Sequence, residues 1–266
     1  MRWGLAGIVA CGCLSKPPPP GGADCDGVDF GAAGPLQGSV LAGKNINDPT
    51  LDNDATELWF AYPTQPAGYE LFHAVATAGS FDAMTDISGL LSPSNETDPT
   101  LTADGLDLMF LSERGGPNVW EATRASRQAD FVGPPHGVLL ASEPSTAGGI
   151  DLSADGLTLY FVGDQDTLYS VTRATRTAAF GMPSQPLAHD TNWISVSADQ
   201  RELYYTKSGH STGVYRRVRA DLSDTFDMAP EESILAAGGD PDVTPDATTL
   251  VMIASGSLVT ATRSCP

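Results

Sequence analysis

Asp98 to Phe110 reads DPTLTADGLDLMF, and the same pattern returns four more times along the chain. It stands as DPTLDNDATELWF from Asp48, GIDLSADGLTLYF from Gly149, WISVSADQRELYY from Trp193 and DPDVTPDATTLVM from Asp240. The shared aspartate falls at Asp54, Asp104, Asp155, Asp199 and Asp246, at intervals of 50, 51, 44 and 47 residues. A period of this length marks a repeat architecture. A second motif follows each unit: LFHAVATA, VWEATRAS, LYSVTRAT, VYRRVRAD and LVTATRSC. A third element opens on Phe81, Phe131, Phe180 and Phe226.

Each unit reads as strands. Apolar residues alternate and then run together in LDLMF (106–110) and LTLYF (157–161), as in half-buried strands. The Asp-Gly or Asp-Ala before them is a turn signal between two strands. The unit is therefore strand A (DPTLT), turn, strand B (LDLMF), strand C (VWEATR) and strand D, the Phe segment. Four antiparallel strands per unit is the signature of a propeller blade. The fifth unit stops after strand C, with only Pro266 behind LVTATRSC. Its missing D strand stands at the other end, where DFGAAGPLQGSVLAG from Asp29 matches DFVGPPHGVLLAS from Asp130. Phe30 is thus the fifth of the Phe series, and a blade built from both termini closes the ring. Cys265 occupies the position that Ser126 holds after strand C, and Cys25 precedes Phe30 as Ser126 precedes Phe131. A Cys25–Cys265 disulfide would replace the loop that the chain break removes.

The run DLSADGLTLYF (151–161), followed by a strand ending in Thr-Arg, resembles the TolB-type β-propeller repeat, a relative of the WD-type repeat. The likeness runs from Phe30 to Cys265 and implies a propeller, while leaving function open, because this architecture hosts enzymes, scaffolds and binding modules. Two departures stand out. Asp199 is followed by Gln200 rather than Gly, and the first unit lacks the Arg carried by the others as Arg124, Arg173, Arg219 and Arg263. Those blades are expected to differ in their A–B turns or edges.

The 266 residues hold 14 Lys+Arg against 33 Asp+Glu, a formal net charge of −19. Such a surface repels phosphate backbones and excludes nucleic acid as a partner. The 28 glycines and 20 prolines speak against a helical bundle. The chain opens MRWGLAGIVACGCLSKPPPPGG. Arg2 is a minimal positive region and Trp3 to Ala10 a short apolar one. Ile8-Val9-Ala10-Cys11 resembles the bacterial lipobox, which implies lipidation of Cys11 and loss of the residues before it. The Pro- and Gly-rich stretch behind it would be a semi-extended spacer. The mature protein would then sit where disulfides persist.

Motifs for chemistry are sparse. Gly209-His210-Ser211-Thr212-Gly213 matches the G-x-S-x-G pattern, yet a nucleophile elbow needs a helix after the serine. Here a strand follows. The histidines His73, His136, His189 and His210 have no metal-ligand spacing. The strongest constellation is acidic: Asp48, Asp98 and Asp240 open strand A in blades that become neighbours once the ring closes. Innermost strands line the channel of a propeller, so these carboxylates should meet at one mouth. Trp193 replaces the same Asp in the fourth unit. Convergent carboxylates suit a hard cation through oxygen ligands, or acid–base work on a glycoside. Against both, the Asp belongs to the repeat and can serve the fold by accepting backbone N–H bonds.

The sequence thus reads as an all-β, five-bladed β-propeller whose last blade is closed by the N-terminal strand. Residues 1–11 are a lipoprotein-type signal segment, 12–28 a tether and 29–266 the propeller. The expected role is a non-catalytic binding or interaction module of the bacterial cell envelope, monomeric and lipid-anchored, with a protein or glycan partner. A carbohydrate-active enzyme or lectin using the channel mouth is the alternative. No cofactor is expected, with calcium the ion that the acidic mouth would suit.

Overall fold

The computed structural model describes residues 25–265, apart from 26–27, 42, 65–67, 88, 91, 117, 132, 143–147 and 208. Cys11 and the tether up to residue 24 lie outside the described residues. Within them, strands form five antiparallel sheets. A short strand, β1 (Gly34–Pro35), comes first. Blade one holds β2 (Asn47–Leu51), β3 (Glu57–Thr64), β4 (Gly68–Val75) and β5 (Met84–Asp86). Blade two holds β6 (Glu96–Leu101), β7 (Asp107–Ser112), β8 (Val119–Thr123) and β9 (His136–Val138). Blade three has β10 (Ile150–Leu152), β11 (Thr158–Gly163) and β12 (Thr167–Thr172). Blade four has β13 (Asn192–Val196), β14 (Glu202–Lys207), β15 (His210–Val218) and β16 (Glu231–Leu235). Blade five has β17 (Gly239–Val243), β18 (Thr249–Ala254) and β19 (Ser257–Thr262).

The inner strands β2, β6, β10, β13 and β17 touch in sequence, and β17 meets β2 to close the ring. β1 pairs with β19, Gly34 opposite Thr260 and Pro35 opposite Val259, so the N-terminal strand completes blade five as the repeat predicts. Gly31 N donates to Thr262 O and Leu36 N to Leu258 O on either side of that pairing. Cys25 and Cys265 are disulfide-bonded across 240 residues, with their Cα atoms 4.9 Å apart. Arg216 and Arg263 both donate to the carbonyl of Val28, which fixes the entering chain against blades four and five.

One blade differs from expectation. The segment after Phe180 forms no fourth strand in blade three. It runs beside β12 through bonds from Gly181 N to Thr172 O, Ser184 N to Ser170 O and Leu187 N to Leu168 O. Pro183 and Pro186 interrupt the ladder because neither has an N–H to donate.

The apolar residues of the described chain sort into clusters that each straddle one junction between blades. Leu58 and Phe60 of blade one pack with Val251 and Leu258 of blade five, whereas Trp59, on the opposite face of the same strand, packs with Leu108 and Phe110 of blade two. Alternation along strand B thus serves both neighbours. The recurring arginine works at the same seams. Arg124, Arg173, Arg219 and Arg263 each donate Nε to a carbonyl in the A–B turn of their own blade, Gly105, Gly156, Gln200 and Ala247. Each lies over the Phe of its own D segment, at 5.0, 4.7, 4.5 and 4.5 Å from the ring centroid. Each then reaches the preceding blade: Arg124 to Glu57, Arg173 to Glu121, Arg219 to the Tyr160 hydroxyl and Arg263 to Glu202. The three arginine–carboxylate pairs are buried, so removing one partner would leave an uncompensated charge.

The repeated turn aspartates behave as the sequence indicates in four units. Asp104, Asp155, Asp199 and Asp246 each accept a hydroxyl and a backbone N–H inside the A–B turn. In the first unit Asp52 takes that work, accepting from the N–H groups of Thr56 and Glu57. The turn with Gln200 is not altered: its φ of 63° matches the left-handed conformation of Gly105 and Gly156.

Breaking the terminal link should cost stability in proportion to what it holds. Cys25→Ser is expected to lower the unfolding free energy by about 2–5 kcal/mol, measured by denaturant titration. Deleting residues 25–42 should destabilise far more than deleting 14–24, because only the former removes β1.

Candidate functional site

The channel mouth is built by a fault that recurs in the innermost strands. The register of β2 on β3 shifts between Asn47 and Thr50, that of β6 on β7 between Thr97 and Thr100, and that of β17 on β18 between Gly239 and Asp242. The residues skipped are Asp48-Pro49, Asp98-Pro99 and Asp240-Pro241. Proline cannot donate to a ladder, and a bulge is where a sheet tolerates it. The bulge holds Asp48, Asp98 and Asp240 at φ of 49°, 51° and 47°, and Trp193 and Gly149 take the corresponding places at 35° and 81°. Only glycine adopts this conformation freely. Strain of this kind persists where the surrounding structure imposes it.

These backbone positions bring Asp48, Asp98 and Asp240 together on one rim, as their places in the repeat suggest. Each carboxylate turns toward the next blade: Asp240 accepts from Asp48 N at 3.5 Å, and Asp48 from Asp98 N at 3.3 Å. Burial pushes all three upward. Asp98 rises to about 7 and Asp240 to about 6, while Asp48 stands well above the usual carboxylate range because the charges of Asp98 and Asp240 add to its burial. Above the rim opens a vestibule of about 680 Å³, lined by these aspartates together with Asn47, Asn192 and Trp193. Among the described residues, no group of three or more His, Cys, Asp or Glu is arranged to hold a metal ion.

Two residues further along each strand, on the same face, lies a second polar layer that the sequence reading missed. It consists of Thr50, Thr100, Asp151, Ser195 and Asp242. Asp242 accepts from Leu51 N at 3.0 Å and Thr50 Oγ1 at 3.3 Å, and Asp151 accepts from Val196 N at 2.6 Å and Thr100 Oγ1 at 2.9 Å. Ser195 Oγ accepts from Val243 N at 3.0 Å. Burial raises Asp151 to about 7, and lifts Asp242 well above the usual range with the charge of Asp151 adding to it. A cavity of about 30 Å³ separates the two layers. The signal was present as the period of two from Asp240 to Asp242 and from Gly149 to Asp151.

The Gly209–Gly213 pattern lies where β14 turns into β15, and a strand follows it. It supplies no nucleophile elbow. His189 and His136 sit apart, each beside a carboxylate, Asp227 and Glu121 respectively.

No protein-family model matches the chain, nor does the sequence of any curated protein. Solved structures do match. The catalytic domain of a GH62 α-L-arabinofuranosidase from Coprinopsis cinerea aligns at a TM-score of 0.58 and 11% identity, covering 89% of this chain and 96% of that one. A gluconolactonase from Xanthomonas campestris gives 0.53 and 12%, covering 82% and 72%. TolB from Acinetobacter baumannii gives 0.52 and 13%, covering 83% of this chain and 55% of that one. The chain therefore spans little more than half the length of that TolB protein. These likenesses place the chain among β-propellers that include TolB proteins, and at such identities they speak for the fold alone.

The raised carboxylates carry a pH signature. A carboxyl whose folded pKa lies above its unfolded value holds its proton more tightly when folded, so its contribution is present at acid pH and lost as pH rises through the folded value. For Asp98, Asp151 and Asp240 the loss falls between about pH 4 and pH 7. Asp151→Asn keeps an acceptor for Val196 N and removes one of these buried carboxyl groups. Its melting temperature should exceed that of the wild type at pH 8, and the advantage should shrink toward pH 4. Thermal melts across that range check the sign.

Proposed function

We propose that the protein is a non-catalytic binding module of the bacterial cell envelope, tethered through a lipidated Cys11, whose channel mouth receives a cationic group of its partner. The observation that carries this reading is the convergence of Asp48, Asp98 and Asp240 on one rim beneath a vestibule of about 680 Å³. Carboxylates that raise one another's pKa bind a proton or a cation more readily than isolated ones. An arriving ammonium, guanidinium or calcium ion relieves that repulsion and lowers the pKa of each. The net charge of −19 attracts such a partner from a distance. The backbone bonds that Asp48 and Asp240 already accept favour a binding role, because they tie these groups to the ring rather than to a reacting atom.

The alternative is a carbohydrate-active enzyme. Asp98 at about 7 and Asp240 at about 6, beside Trp193, favour it to the extent that glycoside hydrolysis needs carboxyl groups in different protonation states. Their equivalent places in the repeat speak against it, since acid and base need unlike surroundings.

Titration with calcium and with a lysine-rich peptide tests the mouth. Both should raise the melting temperature with occupancy and release protons near pH 7, and Asp98→Asn should diminish both effects. A flat response to both probes would remove the reading. Turnover of aryl-glycosides that vanishes in Asp48→Asn or Asp240→Asn would establish the alternative. The anchor is tested separately: Cys11→Ala should move the protein from the membrane to the soluble fraction, and intact mass should show whether residues 1–10 are lost.

A further inference from the structure

A second space lies between the first and second blades, away from the channel. It measures about 730 Å³, in the range of small-molecule clefts. Its apolar wall includes Val75, Ile87 and Phe131, and its polar lining includes Glu57, His73, Asp86 and Asp130. Trp59 and His73 both line it and stack on each other, with ring centroids 4.0 Å apart and planes inclined by 21°.

This pair is peculiar to blade one. The corresponding places hold Met109 with Glu121, Tyr160 with Ser170, Tyr204 with Arg216, and Val251 with Thr260. There the polar groups are matched across or within the seam. Glu121 receives two bonds from Arg173, Tyr160 Oη donates to Gln200, and Tyr204 Oη donates to Glu202. In blade one Trp59 Nε1 and His73 Nε2 are buried without a hydrogen-bond partner, the Glu57 carboxylate standing 3.8 Å from His73 Nε2. A buried donor left unpaired forfeits the hydrogen bond it had with water. The repeat is thus broken at a seam that also holds a large cleft.

The chemistry of the lining restricts what can enter. Arg124 is committed to Gly105 O, Arg127 O and Glu57, and Arg127 to Asp52 and Asp54. An anion therefore meets arginines that are already paired, with the exposed carboxylates of Asp86 and Asp130 beside them. The indole N–H demands an acceptor, which an ammonium ion lacks. Asp86 and Asp130 offer acceptors at the exposed edge of the cleft. A hydroxyl both donates and accepts, and the C–H face of a sugar ring suits the wall formed by Phe131, Val75 and Ile87. Burial also pulls the His73 imidazole below its ordinary pKa, so a neutral ring faces the incoming group at pH 7.

We propose that this flank cleft is a saccharide site taking a neutral mono- or disaccharide, with hydroxyls paired to Trp59 Nε1, His73 Nε2 and the carboxylates of Asp86 and Asp130. It is distinct from the channel mouth and stands whether or not the mouth binds a cation.

The test is calorimetric titration of the full chain with glucose, galactose, N-acetylglucosamine and their β-1,4-linked disaccharides. At least one should bind saturably. Trp59→Phe, which removes the indole N–H together with part of the ring, and Asp86→Asn, at an exposed position, should each weaken it about tenfold or more. Asp98→Asn at the mouth should leave it unchanged. Absence of binding by every sugar in the panel overturns the proposal. Sugar binding lost in Asp98→Asn but intact in both Trp59→Phe and Asp86→Asn overturns it too, and assigns the sugar to the mouth. Spermidine binding to the wild type that Asp86→Asn abolishes, without any sugar binding, identifies a polyamine site instead.

Discussion

Five sheets make a ring only where the last meets the first, and here β17 lies against β2 while a strand of two residues completes the last blade. Gly34 and Pro35 lie against Thr260 and Val259, and the disulfide beside them holds the two chain ends together. Closure leaves every blade with two neighbours. It also forces the five innermost strands into mutual contact, which creates the channel and brings Asp240 of the last blade against Asp48 of the first. Neither the rim nor the polar layer beneath it exists in an open row of blades.

The seams carry the second constraint. Each recurring arginine spans a cation–π contact, a turn carbonyl and a group on the preceding blade, so one side chain sets both the local turn and the spacing of its neighbour. Ala76 stands where the first blade would have its arginine, so the seam between blades five and one has no such bolt. The Cys25–Cys265 disulfide lies instead with the apolar cluster between blades four and five, the seam that Arg263 also spans.

The repeat, the closing strand and the cysteine pair were legible because each follows from a spacing, and spacing survives in a sequence. Convergence of Asp48, Asp98 and Asp240 was legible for the same reason. Asp151 and Asp242 were overlooked because they occupy different units and fall together only after the ring is drawn, although a step of two along strand A leads to both. The left-handed bulge was hidden, since a residue before proline is ordinarily extended, and neither the turn kept by Gln200 nor the lost strand of blade three could be read from one unit. The flank cleft depends on what two neighbouring blades fail to fill. A void has no motif; the visible trace was that Trp59 and His73 match nothing at the same places in the other units.

The nearness of the chain ends bears on how the molecule could be rebuilt. With Cys25 and Cys265 separated by 4.9 Å between Cα atoms, a short peptide linker can take the place of the disulfide, and new termini can be opened in any loop joining two blades. A circular permutant would keep the same strand pairs, seams and rim while moving the chain ends around the circumference. The place where the chain ends leave the ring is therefore independent of the pairing that builds the blades.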